Sequence, residues 1–553
     1  MNTGFTTLDY LVFALYAAII LGAGLWVGRK KDDKEKSAED YFLAGKSLPW
    51  WVIGTSLIAA NISAEQFIGM SGSGYALGLA ISSYEWMSAI TLLIVGKFFL
   101  PIFIKKNIVT IPEFVEKRYS SDLKRILAVF WVALYVLVNI TSVLYLGALA
   151  LQTVMGVSMP VAIICLCVFT AAYSLNGGLA SIAWTDAIQV VFLVLGGLVT
   201  TYLALDTVSQ GAGWWEGLKT IYTKAPDKFE MILSKDHPEY NNLPGVGVLL
   251  GGLWVANLYY WGFNQYIIQR ALAAKSLPEA QKGIVLAAFL KIVIPFIIVI
   301  PGIAAFVITQ DNQLLQGLGT AGLQNLPDAA HPDKAYPWLI QFLPTGLKGL
   351  AFVALAAAIV SSLASMLNST ATIFTMDIYQ TKTSKKIADD KLVKIGKIVG
   401  LAALVAGALI APLLGGIPQA FQFIQEYTGV VSPGILAVFI LGLFWKKATN
   451  KAAIKSVILS VPIALYFKIG PKGWVEGSVL SSWFPKLPFL DQMGYTALLS
   501  AALIIIFSLV ENKGTADKNG FENEKSTFVT NSFFNISSYV ILLVIAFLYA
   551  FLW

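Results

Sequence analysis

Leu57-Ile58-Ala59-Ala60-Asn61-Ile62-Ser63-Ala64-Glu65-Gln66-Phe67-Ile68-Gly69-Met70 puts one acid and two amides in the middle of an otherwise apolar stretch. Trp50-Trp51-Val52-Ile53-Gly54 precedes it, and the glycine-rich run Gly69-Met70-Ser71-Gly72-Ser73-Gly74 follows. Such groups are expensive in mid-membrane unless water, an ion or a polar ligand meets them. The glycines and serines around them predict a broken helix, the device by which carriers build binding sites at the midplane. The stretch therefore predicts passage of something polar through a bilayer.

Composition agrees. Hydrophobic residues make up 57% of the 553 and charged residues 13%, against about 25% charged in soluble domains. Fourteen apolar spans are long enough to cross, near 8–27, 49–71, 76–100, 126–151, 159–175, 187–206, 245–268, 284–308, 346–377, 398–415, 420–444, 452–467, 493–510 and 532–552. A crossing needs at least about 17 residues.

Loop charge orients the bundle. The loops at 28–48, 97–125, 176–186, 269–283, 378–397, 445–455 and 511–531 hold 29 of the 39 Lys and Arg; the opposite set holds nine. Basic loops stay cytoplasmic, so both termini are expected on the outer side of the cell membrane. The +7 formal charge is largely this topological signal and implies no nucleic-acid partner. The first span has no basic n-region, carries Asp9 before its apolar run and lacks an A-x-A site, so it does not read as a cleaved signal peptide. Cys165 and Cys167 share one apolar span and suit small buried thiols; no disulfide or zinc spacing exists. His237 and His331 fall in outer loops, which excludes a histidine proton relay within the membrane. Trp214-Trp215-Glu216-Gly217-Leu218 predicts a short interfacial helix. The basic segments 28–47 and 378–397 read as solvated linkers.

Several polar groups lie deep in spans. Glu85, in Tyr84-Glu85-Trp86-Met87-Ser88, is near a midplane, as is Asn139; Lys291 reads as the only basic residue deep in a span. Each also has a purely structural explanation. Asn139 fits a bond to a neighbouring helix, Lys291 fits snorkelling, and Glu85 with Lys291 fits an ion pair without a ligand. The run Gly251 to Arg270 is interrupted by Asn257, Asn264 and Gln265, with Gly262 as the expected point of unwinding and Tyr259, Tyr260 and Trp261 beside it. Aromatic faces beside amides and a carboxylate suit a sugar; the alternative, an interfacial aromatic belt, would not put two amides and a glycine in the middle. Ser361, Ser365 and Asn368 recur at helical spacing on one face. Serines here either pack and bond their own backbone or offer oxygens to a hard cation. The two broken spans, 49–71 and 245–268, are five crossings apart and run in opposite directions, which predicts two five-helix units of inverted topology.

The strings Tyr41-Phe42-Leu43-Ala44-Gly45-Lys46, Ile58 to Gly74, Tyr84 to Ser88, Gly251 to Arg270 and Ile359 to Thr375 resemble the sodium/solute symporter family, in particular its bacterial sodium/galactose (glucose) branch, nearly end to end. The resemblance implies an all-α membrane protein of LeuT-type 5+5 inverted repeat. Residues 1–47 would be an extra helix and linker, 48–244 and 245–447 the two repeats, and 448–553 three peripheral helices. It also implies a sugar site of Asn61, Gln66, Glu85, Ser88, Asn139, Asn257, Lys291 and Gln425. Tyr260 would stack on the ring from the cytoplasmic side, and Met70, Tyr84 and Phe421 would close the outer side. Carbonyls of Ala59, Ile62 and Ala358 with hydroxyls of Ser361 and Ser362 would hold sodium, and Asp186 would line its exit.

The expected function is sodium-coupled import of a hexose such as galactose or glucose, by a carrier and not an enzyme. No cofactor besides the coupling Na+ is expected, and oligomerisation stays open. Glu85, Lys291 and the amides favour many hydroxyls over a carboxylate, so proline, pantothenate or sialic acid are the alternatives within the family. Proton coupling stays open through Glu65, Glu85 or Asp186. A membrane-embedded transferase would need a cluster of acid, histidine or nucleophile at a water face, and none is visible.

Overall fold

The computed structural model describes residues 5–28, 37–319, 326–380, 387–415, 419–470 and 484–553. Every long element among them is a helix and none is a strand. Ten helices, from Thr7–Gly28 to Ser532–Phe551, are long and apolar enough to cross a membrane. Phe421–Thr428 and Ser432–Phe444, bent by 55°, make eleven. The count falls below the expected fourteen because length and apolarity pass over two interrupted segments and the shorter Met159–Ala172 helix. The apolar window of Leu347–Tyr379 is 94% buried and that of Thr7–Gly28 only 17%, so the former is core and the latter is periphery.

The first interrupted segment runs as Trp50–Asn61, breaks, and resumes at Glu65–Met70 and Ser71–Leu77. Ile62 is extended, with ψ 101. Ser63 and Gln66 then restart the helix: Glu65 N–H donates to Ser63 Oγ (3.0 Å), and Ser63 N–H donates to Gln66 Oε1 (3.0 Å). Gln66 reaching back to the Ser63 N–H is one half of a capping box, and Ser63 Oγ caps the second N–H of the new turn in place of the third, all inside a membrane segment. Together they pay the backbone donors that lipid cannot satisfy.

The second segment runs as Gly252–Phe263 and Gln265–Leu272. Its break is at Asn264 (ψ 117), not at Gly262. Tyr135, from another helix, props it: the phenol donates to Asn264 Oδ1 and accepts from Gln265 N–H (3.0 Å). Gly262 stays helical, and a Cβ there would stand 2.7 Å from the Phe99 ring. Its glycine serves close approach and not unwinding. The two segments lie antiparallel: Leu48 N–H donates to Ala273 C=O (3.1 Å) at one end, and Asn61 Nδ2 donates to Tyr260 Oη (3.0 Å) at the breaks.

Other expectations shift. Residues 176–186 are not a loop, since the chain kinks at Gly178 (φ +67) and continues as a helix to Val208. The span expected at 398–415 begins earlier, as Asp389–Leu414. Positions 29–36 of one expected linker and 381–386 of the other lie outside the described residues. The rest of 28–47 is not all solvated, because Ser37 and Asp40 cap a short Ala38–Leu43 helix that buries Tyr41, Phe42 and Leu43. Trp214–Lys224 is a short helix, with both tryptophans exposed. Cys165 is on the bundle surface and Cys167 is half-buried.

Candidate binding site

Where the two breaks face each other, they enclose a cavity of about 60 Å³. Asn61, Gln66, Glu85, Ser88, Asn257, Tyr260 and Gln425 line it. Lys291 joins them through its ammonium, which donates to Asn61 Oδ1 and to Glu85 Oε2 (2.5 Å) and lies 5.1 Å above the Trp261 ring. All three polar groups are nearly or wholly buried, so each depends on the others for compensation. Ser88 Oγ lies 2.7 Å from Asn257 Oδ1 and 2.6 Å from its own turn's Tyr84 carbonyl, and its one proton serves these acceptors. Gln66 has its Oε1 occupied by the capping box, so its amide nitrogen is the group left for a ligand. Asn139 stands apart from the wall, in the wide turn Tyr135–Ile140 of its helix.

Of the expected gate, Tyr84 and Phe421 line the cavity and meet edge-on at 5.1 Å. Met70 is fully buried and is not among the residues lining the cavity. Tyr260 closes the cavity from the other break, its oxygen accepting from Asn61 Nδ2 and from the Tyr266 hydroxyl (2.8 Å).

Ser361 and Ser362 lie on the Leu347–Thr372 helix, fully buried beside the first break. Ser362 Oγ donates to Ala60 C=O (3.0 Å) and lies 3.4 Å from Ala59 C=O. Ser361 Oγ donates to Asp186 Oδ1 (2.5 Å). Ala358 is buried one turn earlier on the same helix, and Ile62 is the first residue past the end of the Trp50–Asn61 helix.

Asp186 is buried on the kinked helix and not in a loop. The acid is held there by Ser361, by Ser56 Oγ (2.5 Å) and by Arg270 Nη2 (3.2 Å). Arg270 is fully buried and also donates to Ser56 Oγ (2.6 Å), Ser365 Oγ and Tyr266 C=O. Lys291 is therefore not the only deep basic residue. Sequence spacing places Arg270 in a cytoplasmic loop, but the Gln265–Leu272 helix carries it inward. The available signal is charge balance, since a buried Asp186 demands a cation. Glu65 is the other unassigned group at the cavity, its carboxylate accepting from Ser142 Oγ (2.7 Å). No cluster of three His, Cys, Asp or Glu that could hold a metal occurs among the described residues.

A family model described as Sodium:solute symporter family matches residues 41–460. The chain is 60% identical to a Vibrio parahaemolyticus protein named sodium/glucose cotransporter, over 100% of this chain and 99% of that one. It is 34% identical to sodium/myo-inositol cotransporter 2 of Bos taurus, over 83% of this chain and 69% of the relative. A solved structure described as the substrate-bound outward-open state of a Na+-coupled sialic acid symporter superposes with TM-score 0.76 at 24% identity, covering 92% of this chain and 98% of that one. The likeness to that structure is one of fold.

Proposed function

The chain belongs to the sodium:solute symporter family, and on that premise we propose that the solute it carries with sodium is a hexose, glucose or galactose. It is a sodium-coupled membrane carrier and not an enzyme; sodium is its coupling ion, and the activity calls for no enzymatic cofactor. The observation that carries the hexose assignment is the Glu85–Lys291–Asn61 bridge in the cavity wall. A pyranose offers hydroxyls in every direction and a flat C–H face. The wall answers with a carboxylate, amides and the Tyr260 ring, and the Lys291 ammonium backs the carboxylate and one amide. Glu85 is already neutralised by Lys291, and the amides beside them offer partners for many hydroxyls and no second cation for the carboxylate of sialic acid or pantothenate. The relative named as a sodium/glucose cotransporter supports the same assignment.

At about 60 Å³ the cavity has room for only a few waters. A hexose therefore requires the walls to part, either at the Tyr84–Phe421 contact or at Tyr260, and alternation between the two is the transport cycle. Sodium takes the hydroxyls of Ser361 and Ser362 and the carbonyls of Ala59, Ile62 and Ala358, with Asp186 on its way out. The contact of Ser362 with the carbonyl of Ala60, next to Ala59 in the chain, supports this set, because it already brings the hydroxyl to the helix end beside the break. Asn139 contributes only if its helix turns toward the sugar. The architecture we propose has fourteen crossings: the ten long helices, the bent pair, Met159–Ala172 and the two interrupted segments. Residues 48–244 and 245–447 form inverted repeats, 448–553 lie at the periphery, and both termini face outward.

The deciding experiment is uptake into proteoliposomes under an inward sodium gradient, with choline as control, across glucose, galactose, myo-inositol, proline and sialic acid. Sodium-dependent accumulation of a hexose is the expected result. Accumulation of proline or sialic acid without hexose, or of any solute under a proton gradient alone, would overturn the assignment.

A further inference from the structure

A second, larger cavity of about 470 Å³ opens on the flank of the bundle. It lies between Gly252–Phe263, Ser432–Phe444 and Phe489–Glu511. It is separate from the central one: Met493 lines the central cavity, while Asp491, Gly494 and Ala501 of the same helix line the flank. Its walls are apolar except at one end, and its rim includes Leu250 and Leu498, 81% and 69% exposed. At that end stands Asp491, in the first turn of Phe489–Glu511, with no hydrogen bond or ion pair among the described residues. Its Oδ1 is 2.8 Å from where a Cβ on Gly247 would stand and 3.5 Å from one on Gly251. Side chains at those two positions would crowd the carboxylate, and their absence leaves it open to the cleft.

We propose that this cleft holds an acyl chain of a bilayer lipid whose headgroup is a primary ammonium, bound by Asp491. The cleft's volume falls in the range of small-molecule sites, and its leucine rim faces where lipid tails lie. The start of the helix marks the membrane boundary, the depth of the headgroups. A first-turn acid gains from the helix dipole alone, but the dipole does not explain an open carboxylate at the mouth of an apolar cleft. Charge complementarity selects the headgroup. A primary ammonium donates charge-assisted N–H bonds to a carboxylate, a quaternary choline has no N–H to give, and a phosphoglycerol headgroup is anionic and repelled.

The test uses the purified full chain in detergent, titrated with phosphatidylethanolamine, phosphatidylcholine or phosphatidylglycerol of identical acyl chains and read by native mass spectrometry. The ethanolamine lipid should be retained at least about tenfold more tightly than the others, the effect of one charge-assisted hydrogen bond. Asp491→Asn, which keeps shape and removes charge, should abolish that preference. Ala501→Phe, which fills the cleft and leaves Asp491 in place, should lower retention of the ethanolamine lipid. Equal retention of the three lipids by the wild type, an undiminished preference in Asp491→Asn, or unchanged retention in Ala501→Phe would each overturn the proposal.

Discussion

Lys291 serves two acceptors at once, so its removal strands both Glu85 and Asn61. A hydrogen bond to a charged group contributes about 1.5–3 kcal/mol. Lys291→Ala or Glu85→Ala should therefore weaken apparent hexose affinity at least about tenfold, seen as lost uptake at low sugar that returns at high sugar. Breaking a buried pair from one side also costs about 3–5 kcal/mol of stability, so each single variant should melt earlier than a Glu85→Gln/Lys291→Met pair. Wild-type uptake by either alanine variant at low sugar would make the bridge purely structural. For the ion, Ser361→Ala and Ser362→Ala should each raise the sodium concentration for half-maximal uptake several-fold. Reciprocal linkage then requires sugar affinity to fall at low sodium and recover as sodium rises. Unaltered sodium dependence in both variants would remove these serines from the ion's shell. Most residues that converge on the cavity were legible from polarity inside apolar spans. Arg270 was not, because its place depends on partners 84 and 214 positions away in the chain, and linear spacing carries no such distance.

At the scale of elements, the first break was legible in principle from Ser63-Ala64-Glu65-Gln66, a capping signature out of place in a membrane span. The second was misplaced by two residues, because it depends on Tyr135 reaching in from another helix. The glycine nearby answers a different demand. Gly262→Ala would drive a methyl to 2.7 Å from the Phe99 ring, and overpacking of this kind costs about 1–3 kcal/mol. We expect a lowered melting temperature for Gly262→Ala, recovered in part by Phe99→Leu. An unchanged melting temperature for the single variant would mean that the ring moves aside freely.

For the whole molecule, the charge split between alternating loops predicts sidedness. In a background with Cys165 and Cys167 replaced by serine, a cysteine at the exposed Lys235 position should react with an impermeant thiol reagent on intact cells. One at the exposed Asp390 position should react only after permeabilisation. Labelling at Asp390 from outside would reverse the topology. The fourteen crossings read from composition include the two interrupted segments, which a test of uninterrupted apolar length on the helices passes over in reaching ten or eleven.

The sugar and ion sites we propose share one property: several of their polar groups already satisfy one another. Lys291 rests on Glu85 and Asn61, Ser362 on the Ala60 carbonyl, and Ser361 on Asp186. The proposed sugar ligand Asn61 and the proposed ion ligand Ala59 lie at one helix end, with Ala60, the acceptor of Ser362, between them. An unladen carrier thus has its Glu85–Lys291 and Asp186–Arg270 charges paired internally before it returns across the barrier. A carrier holding sodium alone has disturbed that helix end without the hydroxyls that would re-pair Asn61 and its neighbours. The half-loaded form is then the costly one, and slippage of ions without cargo, the leak that would waste a gradient, is held down by the same contacts that make the empty protein stable.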